Sequence, residues 1–386
     1  MNLSQQLCAR YDHYSSVRFS GIMLASGVSL IGILANVALS VALTRLGLQL
    51  AQRVEKQTEY LYLTLLSVCD VLVCSAFCVV YGLDAMALYF KSELLFESFF
   101  KVALLWFLIN KVVELAVPYL IIAATFEKWL ASSTGDKQRI LAKKIGSTVA
   151  RILIATVTVV MAALFKLPAC FAYRVMEYAG CSDPFGKLEI VAIPLVAEPV
   201  YEFVEFSVSN AVGTFIPFVL LLALNLANFY NIRTNPTERR CAETVIKIVQ
   251  ISTTISRSKA KMSQSKMLQR EAQLSAEAKL TTWTLVVLVS GYLLCTAPGF
   301  VLTVLETFES GFLRHEDGKS AYFYTIWSDV VSVLFMLNSC VSVLVLYRSD
   351  QQVRGQIKAL FACSLRANEV QMTGRIDTSA GPIARL

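Results

Sequence analysis

Residues 99–132 read FFKVALLWFLINKVVELAVPYLIIAATFEKWLAS. From Phe99 to Glu127 the stretch is apolar, with charge only at Lys101, Lys111, Glu114 and Glu127. A helix rises about 1.5 Å per residue, so a run of this length crosses the roughly 30 Å of a bilayer core. Apolar residues lie around most of the helix circumference, the pattern of a helix inside hydrocarbon. The run closes on TFEKWLAS at 125–132, where a charged pair meets a tryptophan.

The rest of the chain repeats this theme. It has 386 residues, is 56% hydrophobic and 16% charged, and has a mean hydropathy of +0.58. Soluble domains hold about 45–50% apolar and about 25% charged residues, so a polytopic membrane protein is predicted. Seven apolar runs stand at about 20–45, 60–84, 99–127, 147–172, 205–230, 280–306 and 322–347. They are too long and continuous for barrel strands. The first lacks the cationic head and small-residue exit of a cleaved signal, so it reads as a span. The predicted fold is an all-α membrane bundle: an N-terminal segment at 1–19, seven spans within 20–347, an amphipathic eighth helix at 348–363 and a disordered tail at 364–386.

Lys and Arg orient the bundle. Segments 43–59, 128–151, 231–279 and 348–386 hold 25 of the 35 basic residues. The positive-inside rule then predicts an outer N-terminus and an inner C-terminus. The formal charge of +7 follows from this topology and from anionic inner-leaflet lipid, not from nucleic acid. Ten cysteines include no Cys-x-x-Cys, and His13 and His315 are far apart in sequence, so neither a metal nor a cofactor is expected. Cys69, Cys74, Cys78, Cys170, Cys295 and Cys340 lie in apolar runs as small hydrophobes. No internal repeat marks a transporter.

Polar groups inside spans are costly and face the bundle interior or a wet cavity. Asn36, Asp70, Asn338, Ser339 and Ser342 are such groups in spans 1, 2 and 7. They read either as a polar clamp or as a hydrated switch between two packings. Lys111 and Glu114 are three apart, on one helical face. They form a self-satisfied pair or the wall of a ligand pocket. Pro118, Pro168, Pro217 and Pro298 interrupt spans, and the last two are hinge candidates in spans 5 and 6.

Taken in order, these residues resemble a rhodopsin-like (class A) G-protein-coupled receptor. Asn36 matches the asparagine of span 1, and Leu66–Asp70 resembles the L-A-x-x-D of span 2. Glu127-Lys128-Trp129 stands where D/E-R-Y belongs, Pro217 matches span 5, and Cys295-Thr296-Ala297-Pro298 resembles C-W-x-P. FIPFVLLLALN, LLCTAPGFVLTVLE and FMLNSCVSVLVLY are similar to the nematode branch of FMRFamide-type peptide receptors. The resemblance covers residues 20 to 360.

There are departures. Lys128 replaces the arginine, Thr296 the tryptophan of span 6, and Ser342-Val343-x-x-Leu346 the N-P-x-x-Y motif. Span 4 has no tryptophan. Val117 replaces a polar residue of the family's sodium site, so sodium is not expected. Span 3 has no cysteine at its outer end, so the family's disulfide to the long outer loop cannot form. Cys181 of that loop is then unpaired or bonded elsewhere, with Cys8 a candidate partner.

The resemblance implies a plasma-membrane receptor without enzymatic activity, with a peptide ligand outside and a heterotrimeric G protein inside. The expected ligand pocket comprises Asn110, Lys111, Glu114, Glu198, Glu202, Glu205 and Glu306. The outer segments are rich in Asp and Glu, which attract cationic ligands. Asn110 stands where amine receptors carry an aspartate, against a monoamine ligand. The triplet Glu127, Lys128 and Trp129 is the expected coupling site, with Glu127 holding Lys128 by charge. Lysine lacks the planar fork of arginine, so coupling itself stays open. Asn2 is a glycosylation candidate and Cys363 a palmitoylation candidate. The alternatives are a receptor-like chemosensor, scavenger or partner subunit with little coupling, and a transporter or channel.

Overall fold

The computed structural model describes residues 15–51, 60–132, 136–178, 181, 183–234, 259–308, 322–360 and 362. Among these, seven helices are long and apolar enough to cross a membrane: Ser16–Gln49, Tyr60–Tyr89, Glu93–Ser132, Thr148–Ala172, Ala211–Arg233, Thr282–Glu306 and Phe323–Ser349. These are spans 1 to 7. Asn2, Cys8 and Cys363 lie outside the described residues.

The all-α seven-helix class is as the apolar runs predict. The spans keep large apolar side chains on their outer surface, for example Leu24, Ile31 and Leu34 on span 1 and Met161, Leu164 and Phe171 on span 4. Such a belt suits hydrocarbon as solvent. Span 3 occupies the middle and packs against spans 2, 4, 5 and 6, while span 7 closes the ring on spans 6, 1 and 2.

Several helices outrun their apolar cores. The span 6 helix is continuous from Lys259 to Phe308, so it projects well past the bilayer at its polar end. It begins KAKMSQSKMLQREAQ, mostly good helix formers. Span 2 passes through a π-helical turn at Cys78–Leu83. Span 5 is entered through π-helical segments at Phe203–Val208 and Ala211–Phe215. Such segments are rare and cluster at functional sites.

The departure from pure helix is an antiparallel hairpin, β1 (Tyr173–Glu177) with β2 (Leu188–Ala192), in register Tyr173↔Ala192. It follows span 4 directly and marks what we term the hairpin end of the bundle. An aromatic cluster clasps it: Phe96, Phe99 and Phe100 at the start of span 3 pack with Val175, Phe185 and Leu188. Phe96 meets Phe185 edge to face at 5.3 Å between centroids. Cys181 is disulfide-bonded, so the unpaired alternative is excluded; its candidate partner Cys8 lies outside the described residues.

At the opposite end a helix at 136–145 leads into span 4. Gly146 closes the turn between them. A Cβ there would stand 2.8 Å from the Ala142 carbonyl, which no other residue tolerates without movement. Beyond span 7, Asp350 caps a short helix at 351–360, its Oδ1 accepting from the Gln352 and Val353 amides (2.8 and 3.2 Å). Val353 and Ile357 bury themselves against Leu39, Leu43 and Leu346. The amphipathic eighth helix thus gives its apolar face to spans 1 and 7, not to the membrane interface alone.

Candidate functional site

Near the hairpin end the spans part around a cavity of about 470 Å³. Its wall takes residues from spans 2 to 7, and the π-helical entry to span 5 contributes Asn210, Gly213 and Thr214. Four of the seven expected pocket residues line it: Asn110, Lys111, Glu114 and Glu306. Glu205 reaches it indirectly, as the partner of a lining lysine. Glu198 is exposed and does not line it, because it precedes the turn that starts the Pro199–Glu202 helix. Glu202 ends that helix, and its side chain is not among the described groups.

Three charged groupings face this space. Lys111 Nζ donates to Glu114 Oε2 at 3.1 Å and lies over the Phe107 ring. Their side chains are 36% and 48% exposed, so the pair is wet and weakly held. Lys166 of span 4 is buried; its Nζ donates to Glu205 Oε1 at 3.3 Å and to the Ser209 hydroxyl. Glu306 Oε1 accepts from the Tyr324 hydroxyl at 2.7 Å. Three carboxylates thus face two ammonium groups, and Glu306 is the one without a cation among the described residues.

Lys166 is not among the expected site residues. By position it counts with the outer lysines, although a lone lysine within an apolar run is a signal in its own right. Both prolines expected as hinges border the cavity region: Pro217 lines it, and the Pro298 carbonyl accepts from Trp327 Nε1 at 3.1 Å.

Deeper in the bundle, Ser342 Oγ donates to Asp70 Oδ2 at 2.9 Å, joining spans 7 and 2. Asn36 Nδ2 donates to the carbonyls of Gly32 (3.0 Å) and Ser339 (2.9 Å), joining spans 1 and 7. Asn338 is half-buried and makes no side-chain hydrogen bond among the described residues, so the interior network runs through Ser339 instead.

The far end corrects one expectation. Glu127 does not hold Lys128. Its carboxylate is taken by Arg151 of span 4, with Nε donating to Oε2 at 2.8 Å and Nη2 to Oε1. Successive helical residues point about 100° apart, so the face that buries Glu127 turns Lys128 away. Trp129 is half-buried and stacks on Phe126 at 5.7 Å. Beside this pair runs a ladder on span 5. Asn225 Nδ2 donates to Ser290 Oγ of span 6 (2.9 Å), Asn228 Nδ2 to the Thr125 carbonyl (3.2 Å), and Asn231 Nδ2 to Ser132 Oγ (3.1 Å). The three asparagines recur every third residue in an apolar run, a signal that the motif reading passes over.

The fold defines a multi-pass membrane protein built on seven helices. No protein-family model matches the chain, and no curated protein matches it.

Proposed function

We propose that this protein is a rhodopsin-like receptor of the plasma membrane that binds a cationic peptide, FMRFamide-like in chemistry. In this reading the hairpin end faces outward and the C-terminus lies inside. The ligand enters the cavity of about 470 Å³, within the range of small-ligand and peptide-end sites. Its guanidinium meets Glu306, and its carbonyls meet Asn110 and Lys111. Binding favours a second packing of spans 5 and 6, and a G protein takes the cleft that opens at the far end. No bond is made or broken.

The observation that carries the reading is the cavity's charge: among the described residues, lysines pair with two of the carboxylates and none pairs with Glu306. A carboxylate in such a place selects a cation, and a guanidinium fork suits it best. The test is a panel of amidated Arg-containing peptides on cells displaying the chain, read by cAMP and calcium. A saturable response to one peptide is expected. Silence across the panel from a surface-displayed chain contradicts the reading.

The Glu127–Arg151 pair favours a second reading, a receptor-like protein with weak or no coupling. The triplet's acid is engaged with span 4 rather than with its own cation. Retention of a labelled peptide without any cAMP or calcium change supports that reading over the first.

A further inference from the structure

Two thiols from different spans meet in the bundle interior, and neither reading above uses them. Cys74 of span 2 and Cys340 of span 7 are both free cysteines, and Cys74 is fully buried. Both sulfurs occupy the notch left by Gly32 of span 1. A Cβ on Gly32 would stand 2.5 Å from Cys340 Sγ and 3.0 Å from Cys74 Sγ. Both sulfurs thus crowd the same point beside Gly32, and Cys340 Sγ also approaches the Val28 carbonyl at 3.8 Å. Cys78, one turn on, instead points its sulfur at the Ser26 carbonyl (3.7 Å).

We propose that Cys74 and Cys340 form a redox-modification site, oxidised by a hydroperoxide to a disulfide that staples span 2 to span 7. One thiol sulfur attacks a peroxide oxygen. The O–O bond breaks, water or an alcohol leaves, and the sulfur becomes a sulfenic acid. The second thiol sulfur attacks the sulfenic sulfur, the S–OH bond breaks, and water leaves. Two electrons pass from the thiol pair to the peroxide, and the two thiol protons leave in the products.

The surroundings favour this product. A disulfide is neutral and apolar, whereas a thiolate–metal complex or a lasting sulfenate would place charge or an extra polar group in an apolar interior. No group of three or more His, Cys, Asp or Glu side chains among the described residues could hold a metal. Cys340 is the partly exposed member of the pair, and its neighbour Met336, with Sδ 3.8 Å from Cys340 Sγ, lines the cavity. The staple would fix the same two helices that the Ser342–Asp70 hydrogen bond joins. The proposal does not depend on the receptor reading.

The test uses the full chain in membranes. It is treated with hydrogen peroxide, denatured, alkylated and digested without reductant, and the peptides are mapped by mass spectrometry. A Cys74–Cys340 linked peptide is expected, released by dithiothreitol and absent from Cys74→Ser and Cys340→Ser. Cys69, Cys170 and Cys295 should be recovered alkylated in the same sample. Recovery of Cys74 and Cys340 as separately alkylated or singly oxidised peptides overturns the proposal, as does their linkage to other cysteines. Because the decisive readout is on the unaltered chain, misfolding of a variant cannot decide it.

Discussion

Arg151 of span 4 grips Glu127 of span 3 with two hydrogen-bonding nitrogens, in a buried setting where the acid's partner is not its sequence neighbour Lys128. The Nη1 of Arg151 is buried without a hydrogen-bond partner among the described residues. The pair therefore ties span 3 to span 4 and leaves span 6 to be held by other groups.

Removing one partner of this pair strands a buried charge, a loss of about 3–5 kcal/mol. Arg151→Ala and Glu127→Ala should each lower the thermal midpoint of the detergent-solubilised protein by several degrees. The double variant should lose less than the sum of the two. Lys128→Ala should lower the midpoint less than either, and under the receptor reading Lys128→Arg preserves or raises signalling. A double-variant loss equal to the sum of the two single losses would contradict the observed pairing.

The asparagine ladder predicts a graded effect on the far end. Interhelical hydrogen bonds in membranes are worth about 0.6 kcal/mol on average. Asn228→Leu and Asn231→Leu should thus change stability little. Asn225→Leu should free span 6 from span 5 by breaking the contact with Ser290. Under the receptor reading, Asn225→Leu raises basal signalling more than Asn231→Leu, whose hydrogen bond goes to span 3. Equal basal signalling in all three variants would remove the ladder from the mechanism.

The hairpin has an apolar clasp in place of a tether to span 3. Phe185→Ala removes a ring packed on Phe96, and loss of a buried aromatic costs about 3–5 kcal/mol at full burial. Limited proteolysis should cut the Phe185→Ala hairpin faster than the unaltered one. Under non-reducing conditions Cys181 should map to a linked peptide, and Cys8 is the expected partner. A Cys181 peptide recovered free and alkylated would contradict the disulfide.

Gly146→Ala should destabilise the chain although the residue lies in a connecting turn. The added Cβ presses on the Ala142 carbonyl and lies 3.4 Å from Glu127 Oε1. The thermal midpoint should fall, while Gly47→Ala, whose Cβ meets nothing within 4 Å, should not lower it.

The bundle was legible because hydrocarbon demands long apolar runs, and residues 99–127 show one without ambiguity. Asn36, Asp70 and Ser342 stood out because polar groups in such runs are rare, and the structure joins them through spans 1, 2 and 7. Partners were harder. Nothing in the order of residues places Arg151 against Glu127, since that contact depends on how far each helix is rotated. Span ends misled as well: Lys166 reads as a boundary charge, yet it is buried in the wall of the cavity. The π-helical entry to span 5 carries no periodic signature, and it alters which residues face inward.

The central claim is that the ligand's cation meets Glu306, which pairs with no cation among the described residues, and one double exchange tests it most directly. An active Arg-containing amidated peptide and its citrulline analogue are compared on the unaltered chain and on Glu306→Gln, with surface display matched. Losing a charge-assisted contact should cost tenfold or more in potency, about 1.4 kcal/mol or more. The citrulline exchange is expected to weaken the peptide on the unaltered chain and to have little further effect on Glu306→Gln. An equal loss on both chains would show that the ligand's cation does not meet Glu306.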